Sequence, residues 1–221
     1  IGAAGGISTP LSALSAFMMG AAYVVTGSIN QSCIEAATSS KTKEILAAAS
    51  MADVTMAPAA DMFESGGKVQ VLKKGTMFPM VAKNLYELYS KHNSIDEISK
   101  TEIEKLEKRV FKQSIDSVWQ STRSYWANTD LNILRKIEKN EKVKMAMIFR
   151  WYLGQSSRWA IEGDKDRMMD MQIWCGQSMG AFNAWAKGGV FEKAENRKVA
   201  DIADAILDGC LLEYRKQLAK L

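Results

Sequence analysis

Residues 1–28, IGAAGGISTPLSALSAFMMGAAYVVTGS, constrain the fold more than any other part of the chain. A small-residue turn over 2–7 leads into Ser8, Thr9 and Pro10, a hydroxyl cap followed by a proline suited to a first helical turn. This predicts a helix over 11–19 closed by Gly20. Ala22, Tyr23, Val24 and Val25 predict a short buried strand running directly into Thr26, Gly27 and Ser28. Turn, helix, strand, turn is one repeat of a parallel α/β sheet. Such repeats set consecutive strand ends side by side, which lets the turns Gly5-Gly6 and Gly27-Ser28 face one ligand.

Glycine tolerates positive φ and lets a ligand approach the backbone, leaving N–H groups to point at an anion, and a following helix adds the positive end of its dipole. In (β/α)8 barrels the loops after strands seven and eight form the usual phosphate site, and the opening matches that pair. The plainer alternative is two strand-to-helix turns with no ligand. Flavin mononucleotide, sugar phosphates and purine nucleotides all remain open on pattern alone.

Beyond residue 30 helical periods dominate, predicting helices over 31–37, 42–49, 80–91, 100–126, 131–140, 141–162, 177–186 and 197–218. Strand-like alternation appears only over 68–72, and residues 65–67 and 163–166 read as turns. With 221 residues and 47% hydrophobic content the chain can bury a sizeable core. A net charge of +4, with bases interleaved among acids, argues against a nucleic-acid-binding surface. Three widely spaced cysteines, Cys33, Cys175 and Cys210, lack zinc or disulfide spacing and fit a reducing cytoplasm. The apolar run 11–25 is too short and too interrupted to span a bilayer or to act as a secretory signal.

Several residues invite chemistry but have plainer readings. His92, the only histidine, sits at a polar helix end, where capping is the common role. Cys175 in the WCGQSMG turn reads as packing rather than as a reactive thiol. Asp61 and Glu64, three apart on one helical face, read as caps or ion-pair partners, and without histidines they make no metal site. Met145, Ile148, Phe149, Tyr152 and Trp159 recur at helical spacing as core, with an apolar tunnel for an acyl chain as the functional alternative. The charges over 100–112 suit a solvated helix face, whereas Lys136, Lys139, Lys142 and Lys144 form a more one-sided basic set able to steer an acidic carrier protein.

Three long segments carry a resemblance: MAPAADMFESGGKVQVLKKGTMFP, KMAMIFRWYLGQSSRWA and WCGQSMGAFNAW. Together with the opening they resemble the PfaD-like trans-acting enoyl reductases of polyunsaturated fatty acid synthases and trans-acyltransferase polyketide synthases, within the nitronate monooxygenase-like flavoenzymes. The resemblance implies an α/β fold, the carboxyl-terminal part of a TIM (β/α)8 barrel with its last two βα units and a large, mainly helical insertion. It divides the chain into barrel units over 1–57, an insertion over 58–172 and a return to the barrel over 173–221. It further implies FMN as cofactor, NADPH as reductant, and an enoyl thioester on acyl carrier protein as substrate, within a set of synthase modules. Gly5, Gly6, Gly27 and Ser28 would hold the FMN phosphate, and Gly176, Gln177 and Gly180 would belong to a turn and helix returning to the flavin. The family's first six strands and its flavin-facing histidine have no counterpart in these residues, so the chain by itself is expected to be inactive and poorly soluble. A nitronate monooxygenase or a noncatalytic carrier-binding helical module are the alternatives.

Overall fold

The computed structural model describes residues 1–220. β1 (Ala3–Ala4) and β2 (Val24–Val25) pair in parallel, Ala3 opposite Val24 and Ala4 opposite Val25, with α1 (Pro10–Met18) between them. α1 starts where a reciprocal cap forms. Thr9 Oγ1 accepts the Ser12 N–H at 3.3 Å, and Ser12 Oγ accepts the Thr9 N–H at 3.0 Å. The chain then turns at Gly20 with φ +94°, a conformation that costs glycine little.

A second, antiparallel pair joins β3 (Val54–Pro58) to β4 (Lys68–Leu72). β3 is absent from the sequence expectation because its burial does not alternate: Met56 is exposed while Ala57 and Pro58 are both buried. Residues 172–175 run beside β4. The Leu72 N–H donates to the Ile173 carbonyl at 2.8 Å and the Cys175 N–H to the Gln70 carbonyl at 3.3 Å. This pairing carries the chain to Gly176.

The remaining elements are α2 (Ser40–Ala47), α3 (Phe78–Lys91), α4 (Lys100–Lys105), α5 (Ile115–Thr129), α6 (Leu131–Glu138), α7 (Glu141–Glu162), α8 (Gln177–Ala186) and α9 (Val199–Leu218). Two expected helices are corrected. Residues 31–37 do not form one; a 3-10 turn over Ser28–Ser32 takes their place, because the Ile34 N–H donates to the Arg197 carbonyl at 2.8 Å instead of to its own segment. The single helix over 100–126 is broken. α4 passes into a π-helical turn, Leu106–Phe111, and the chain reverses at Lys112 with φ +55°. Arg167 causes the break by taking the Val110 and Phe111 carbonyls at 2.7 and 2.6 Å, and Ser114 then caps α5.

Two apolar cores result. The larger surrounds α7, whose Met145, Ile148, Phe149 and Tyr152 pack with Phe63, Phe78, Phe111 and Leu85. It extends to Leu46, Ala57, Ile173 and Met179. The smaller joins Ala13 and Ala16 of α1 to Ile29, Phe182 of α8, and Ile202, Ile206 and Cys210 of α9. α9 lies so close to α1 that a Cβ on Gly209 would fall 2.4 Å from Pro10. Its other side leaves Leu207, Leu211 and Leu212 exposed. Tyr23 and Val25 are exposed too, so the buried strand expected over 22–25 is corrected to a two-residue strand with one open face, because within the described residues β1 is the strand that pairs with it. Among the described residues no helix is long and apolar enough to cross a membrane.

Candidate functional site

A cavity of about 480 Å³ opens at the carboxyl ends of β1 and β2. Gly5, Gly6, Gly27, Ser28, Gly176 and Gln177 all line it, together with Gln70 from β4. The parallel pairing brings the first two turns together, and the β4 ladder delivers the third. Gly5 and Gly6 adopt φ +90° and +74°, which turn the backbone out of the strand. A Cβ placed on Gly5, Gly6 or Gly27 would meet nothing within 4 Å and would project into open space. No neighbouring atom crowds these three glycines, so the cavity beside them is a cradle of open backbone.

Among the described residues the N–H groups of Gly5, Gly6, Gly27, Gln177 and Ser178 make no hydrogen bond. The last two open α8, whose N-cap, Gly176, supplies no side chain to satisfy them. Unbonded N–H donors on residues that line one cavity, with a ten-residue helix dipole behind two of them, suit a phosphate or other anion. Ser28 has a different first duty from a direct ligand contact: its Oγ accepts the Gly176 N–H at 2.9 Å and ties the turn after β2 to the start of α8. Its hydroxyl proton remains available to a ligand. The Gly176 N–H is spent in that bond, and a Cβ on Gly176 would crowd Gln70 Oε1 and Ser28 Oγ, both 3.1 Å away. Gly180 lies outside the cavity. Its Cβ would sit 2.1 Å from the Met51 nitrogen, so this glycine permits close helix packing.

The other residues singled out from sequence fall elsewhere. The His92 carbonyl, at the end of α3, accepts from Lys142. Asp61 and Glu64 lie in a turn rather than on a helical face, and Glu64 pairs with Arg150 at 2.9 Å. Met145, Ile148, Phe149 and Tyr152 are wholly buried core, and Trp159 nearly so. The basic set divides. Lys142 lies over the Tyr89 ring and Lys144 pairs with Glu141 at 3.4 Å, leaving Lys136 and Lys139 as its exposed members.

All three cysteines are buried and free. Burial, reinforced by the Asp53 carboxylate, pushes the Cys175 thiol up to about 12, and burial with Glu35 nearby pushes Cys33 up to about 11. Neither forms thiolate near neutrality, so an alkylating reagent at pH 8 should leave the peptides containing Cys33, Cys175 and Cys210 unlabelled until denaturant is added. Rapid labelling of Cys175 in the folded protein, read by peptide mapping, would restore it as a reactive group.

Sequence reasoning missed Gln70 and Ser178 in the cavity wall and Arg197 behind it. Gln70 carried a signal as the polar residue at the centre of KVQVL. Arg197 carried none, since a cationic side chain ordinarily reads as surface.

PksE, a polyketide biosynthesis protein of Bacillus subtilis strain 168, is 47% identical over 219 residues, 98% of this chain and 28% of that protein. A polyunsaturated fatty acid synthase component from Thraustochytrium is 49% identical over 191 residues, 85% of this chain and 9% of that protein. The crystal structure of the enoyl reductase domain of MlnA, from the macrolactin biosynthesis cluster of Bacillus amyloliquefaciens, superposes with a TM-score of 0.93 at 41% identity. This chain is similar to an enoyl reductase domain. The likeness covers all of this chain and 49% of the MlnA structure, so the chain spans about half of that domain. Residues 92–171 match the inserted helical domain of [acyl-carrier-protein] S-malonyltransferase. These relatives place the enoyl-reductase-like region among polyketide and polyunsaturated fatty acid synthases.

Proposed function

We propose that the full-length protein is an FMN-dependent, NADPH-using enoyl reductase that acts on enoyl thioesters carried by acyl carrier protein. The likeness to the MlnA enoyl reductase domain along the whole chain carries this reading. The glycine cradle supports it, because its clear space and unpaired N–H groups fit the phosphate of a mononucleotide. In this reading β1, α1 and β2 belong to the last two units of a (β/α)8 barrel, residues 58–172 form the helical insertion, and 173–220 return to the barrel, residue 221 lying outside the described residues.

When bound, FMN supplies hydride chemistry between NADPH and the β-carbon of the enoyl thioester. The chain's own residues bind and orient. Gly5, Gly6 and Gly27 present backbone N–H groups to the phosphate, with Gln177 and Ser178 adding the amino terminus of α8. Ser28 holds these two parts in register through Gly176. The insertion contributes Gln70 to the site, and its β4 pairs with residues 172–175 to bring Gly176 there. The deciding experiment follows NADPH consumption by the flavin-loaded full-length protein. Consumption that depends on an enoyl thioester and yields the saturated product is the expected result; NADPH consumed only with oxygen, or not at all, would overturn the reading.

Carrier recognition belongs to the same proposal, and the match of residues 92–171 to an insertion from a carrier-dependent transferase supports it. With Lys142 and Lys144 engaged internally, docking falls to Lys136 and Lys139. Reversing both charges should raise KM for a carrier-bound substrate by about 5-fold at low salt while sparing the pantetheine thioester, because exposed charges steer encounter. Equal effects on both substrates would remove these lysines from the docking surface.

A further inference from the structure

A second cavity, of about 370 Å³, is walled by Gln31, Ala36, Ala37, Ala160, Ile161 and Trp174. We propose that this cavity receives the acyl chain of the substrate, with Trp174 as its fixed wall and Gln31 as its polar anchor. The identity of the ligand rests on the enoyl reductase reading; the site itself rests on the geometry that follows.

Trp174 is 53% exposed, which is unusual for the largest apolar side chain in a folded protein. It is nevertheless held. In the orientation its neighbours dictate, the buried Gln172 amide accepts the Trp174 indole N–H at 2.8 Å and donates to Ser157 Oγ and the Leu153 carbonyl, each at 3.1 Å. A buried amide that anchors an exposed indole makes a surface whose ordering cost is met before any ligand arrives.

Among the described residues no charged side chain lines this cavity. Its hydroxyls are largely spent on the protein, since Thr42 Oγ1 donates to the Ala160 carbonyl at 2.7 Å. Gln31 makes no side-chain hydrogen bond among the described residues, leaving one spare amide in a wall of alanine, isoleucine and tryptophan. A mostly apolar cavity with one polar anchor suits a hydrocarbon chain ending in a thioester carbonyl, and the volume is in the range of small-molecule sites.

Continuity with the cradle favours this occupant. Gln31 sits in the same 3-10 turn as Ser28, and Trp174 lies two residues before Gly176 on an extended segment, where alternate side chains share a face. The acyl cavity and the anion site thus draw their walls from the same turn and the same extended segment.

The test uses the flavin-loaded full-length protein with decenoyl and crotonyl pantetheine thioesters. Ala37→Leu adds bulk at a wall position exposed within the described residues, thermal melting checks that the variant folds, and it should lower kcat/KM for decenoyl relative to crotonyl by about 10-fold. A second readout needs no turnover: a brominated long-chain acyl pantetheine should quench tryptophan emission of the wild type and lose most of that quenching in Trp174→Phe. An unchanged chain-length ratio in Ala37→Leu, or equal quenching in Trp174→Phe, would overturn the acyl cavity. Failure of the wild type to reduce either thioester would instead sink the enoyl reductase reading, and the quenching result would then decide the cavity alone.

Discussion

Full-length protein carrying Gly27→Leu should purify folded but without flavin. Gly27 has φ −126° and ψ −76°, so a side chain is not barred by a left-handed backbone, and the space above its Cα is empty to 4 Å. Leucine there would occupy the cradle and displace the phosphate from its N–H donors. Losing two charge-assisted hydrogen bonds, each worth about 1.5–3 kcal/mol, weakens binding by at least about 100-fold. Gly6→Val should give the same loss with an added cost in stability, because φ +74° strains a β-branched residue by roughly 1–3 kcal/mol. Comparing the two separates occlusion from strain. Flavin content measured after denaturation, alongside thermal melting, gives the answer; Gly27→Leu protein with wild-type flavin content would remove the cradle from the cofactor site.

Arg197→Met should cost about 3 kcal/mol of stability although the side chain does not line the cavity. The guanidinium is fully buried, and burial lowers its pKa below the ordinary arginine value. It has no carboxylate partner among the described residues. Neutral acceptors hold it instead: Ser32 Oγ at 2.9 Å, Asn183 Oδ1 at 2.9 Å and the Phe191 carbonyl at 2.8 Å, with the Phe182 ring 5.1 Å away. Methionine would fill much of the volume and leave those acceptors unpaired. Lysine would rescue little, since one ammonium cannot reproduce a planar fork reaching three separate acceptors. The reading is a lower urea midpoint with an unchanged slope, and a loss below about 0.5 kcal/mol would show that the acceptors find other partners. Ser32 ends the turn that begins at Ser28, and Asn183 lies on α8, so the same arginine braces two walls of the cradle from behind.

The opening unit was legible because its signals are local. Thr9, Pro10 and Ser12 start α1 through bonds within four residues, Gly20 ends it, and the parallel pair follows from one short connection. The helix over 141–162 was equally legible, since Asn140 caps one end and Gly163, with φ +73°, closes the other. The segment 31–37 was misread because the partner that takes the Ile34 N–H lies over 160 residues away at Arg197. The break after Phe111 was missed for the same reason: Arg167, beyond α7, captures the carbonyls that a continuing helix would have used.

By itself the sequence determined which residues can leave a backbone open to a ligand. Glycines at 5, 6 and 27 allow close approach by their chemistry wherever they stand, and hydroxyl caps and helical periods fix most helix starts within a turn of chain. Only the tertiary structure decided which of those openings share a cavity, that Gly180 serves packing instead, that Ser28 acts first as a brace, and that Trp174 stands exposed on a buried amide. The reason is physical. Local signals act over about four residues, whereas a site is made by hydrogen bonds and packing between segments whose separation in sequence places no bound on their distance in space.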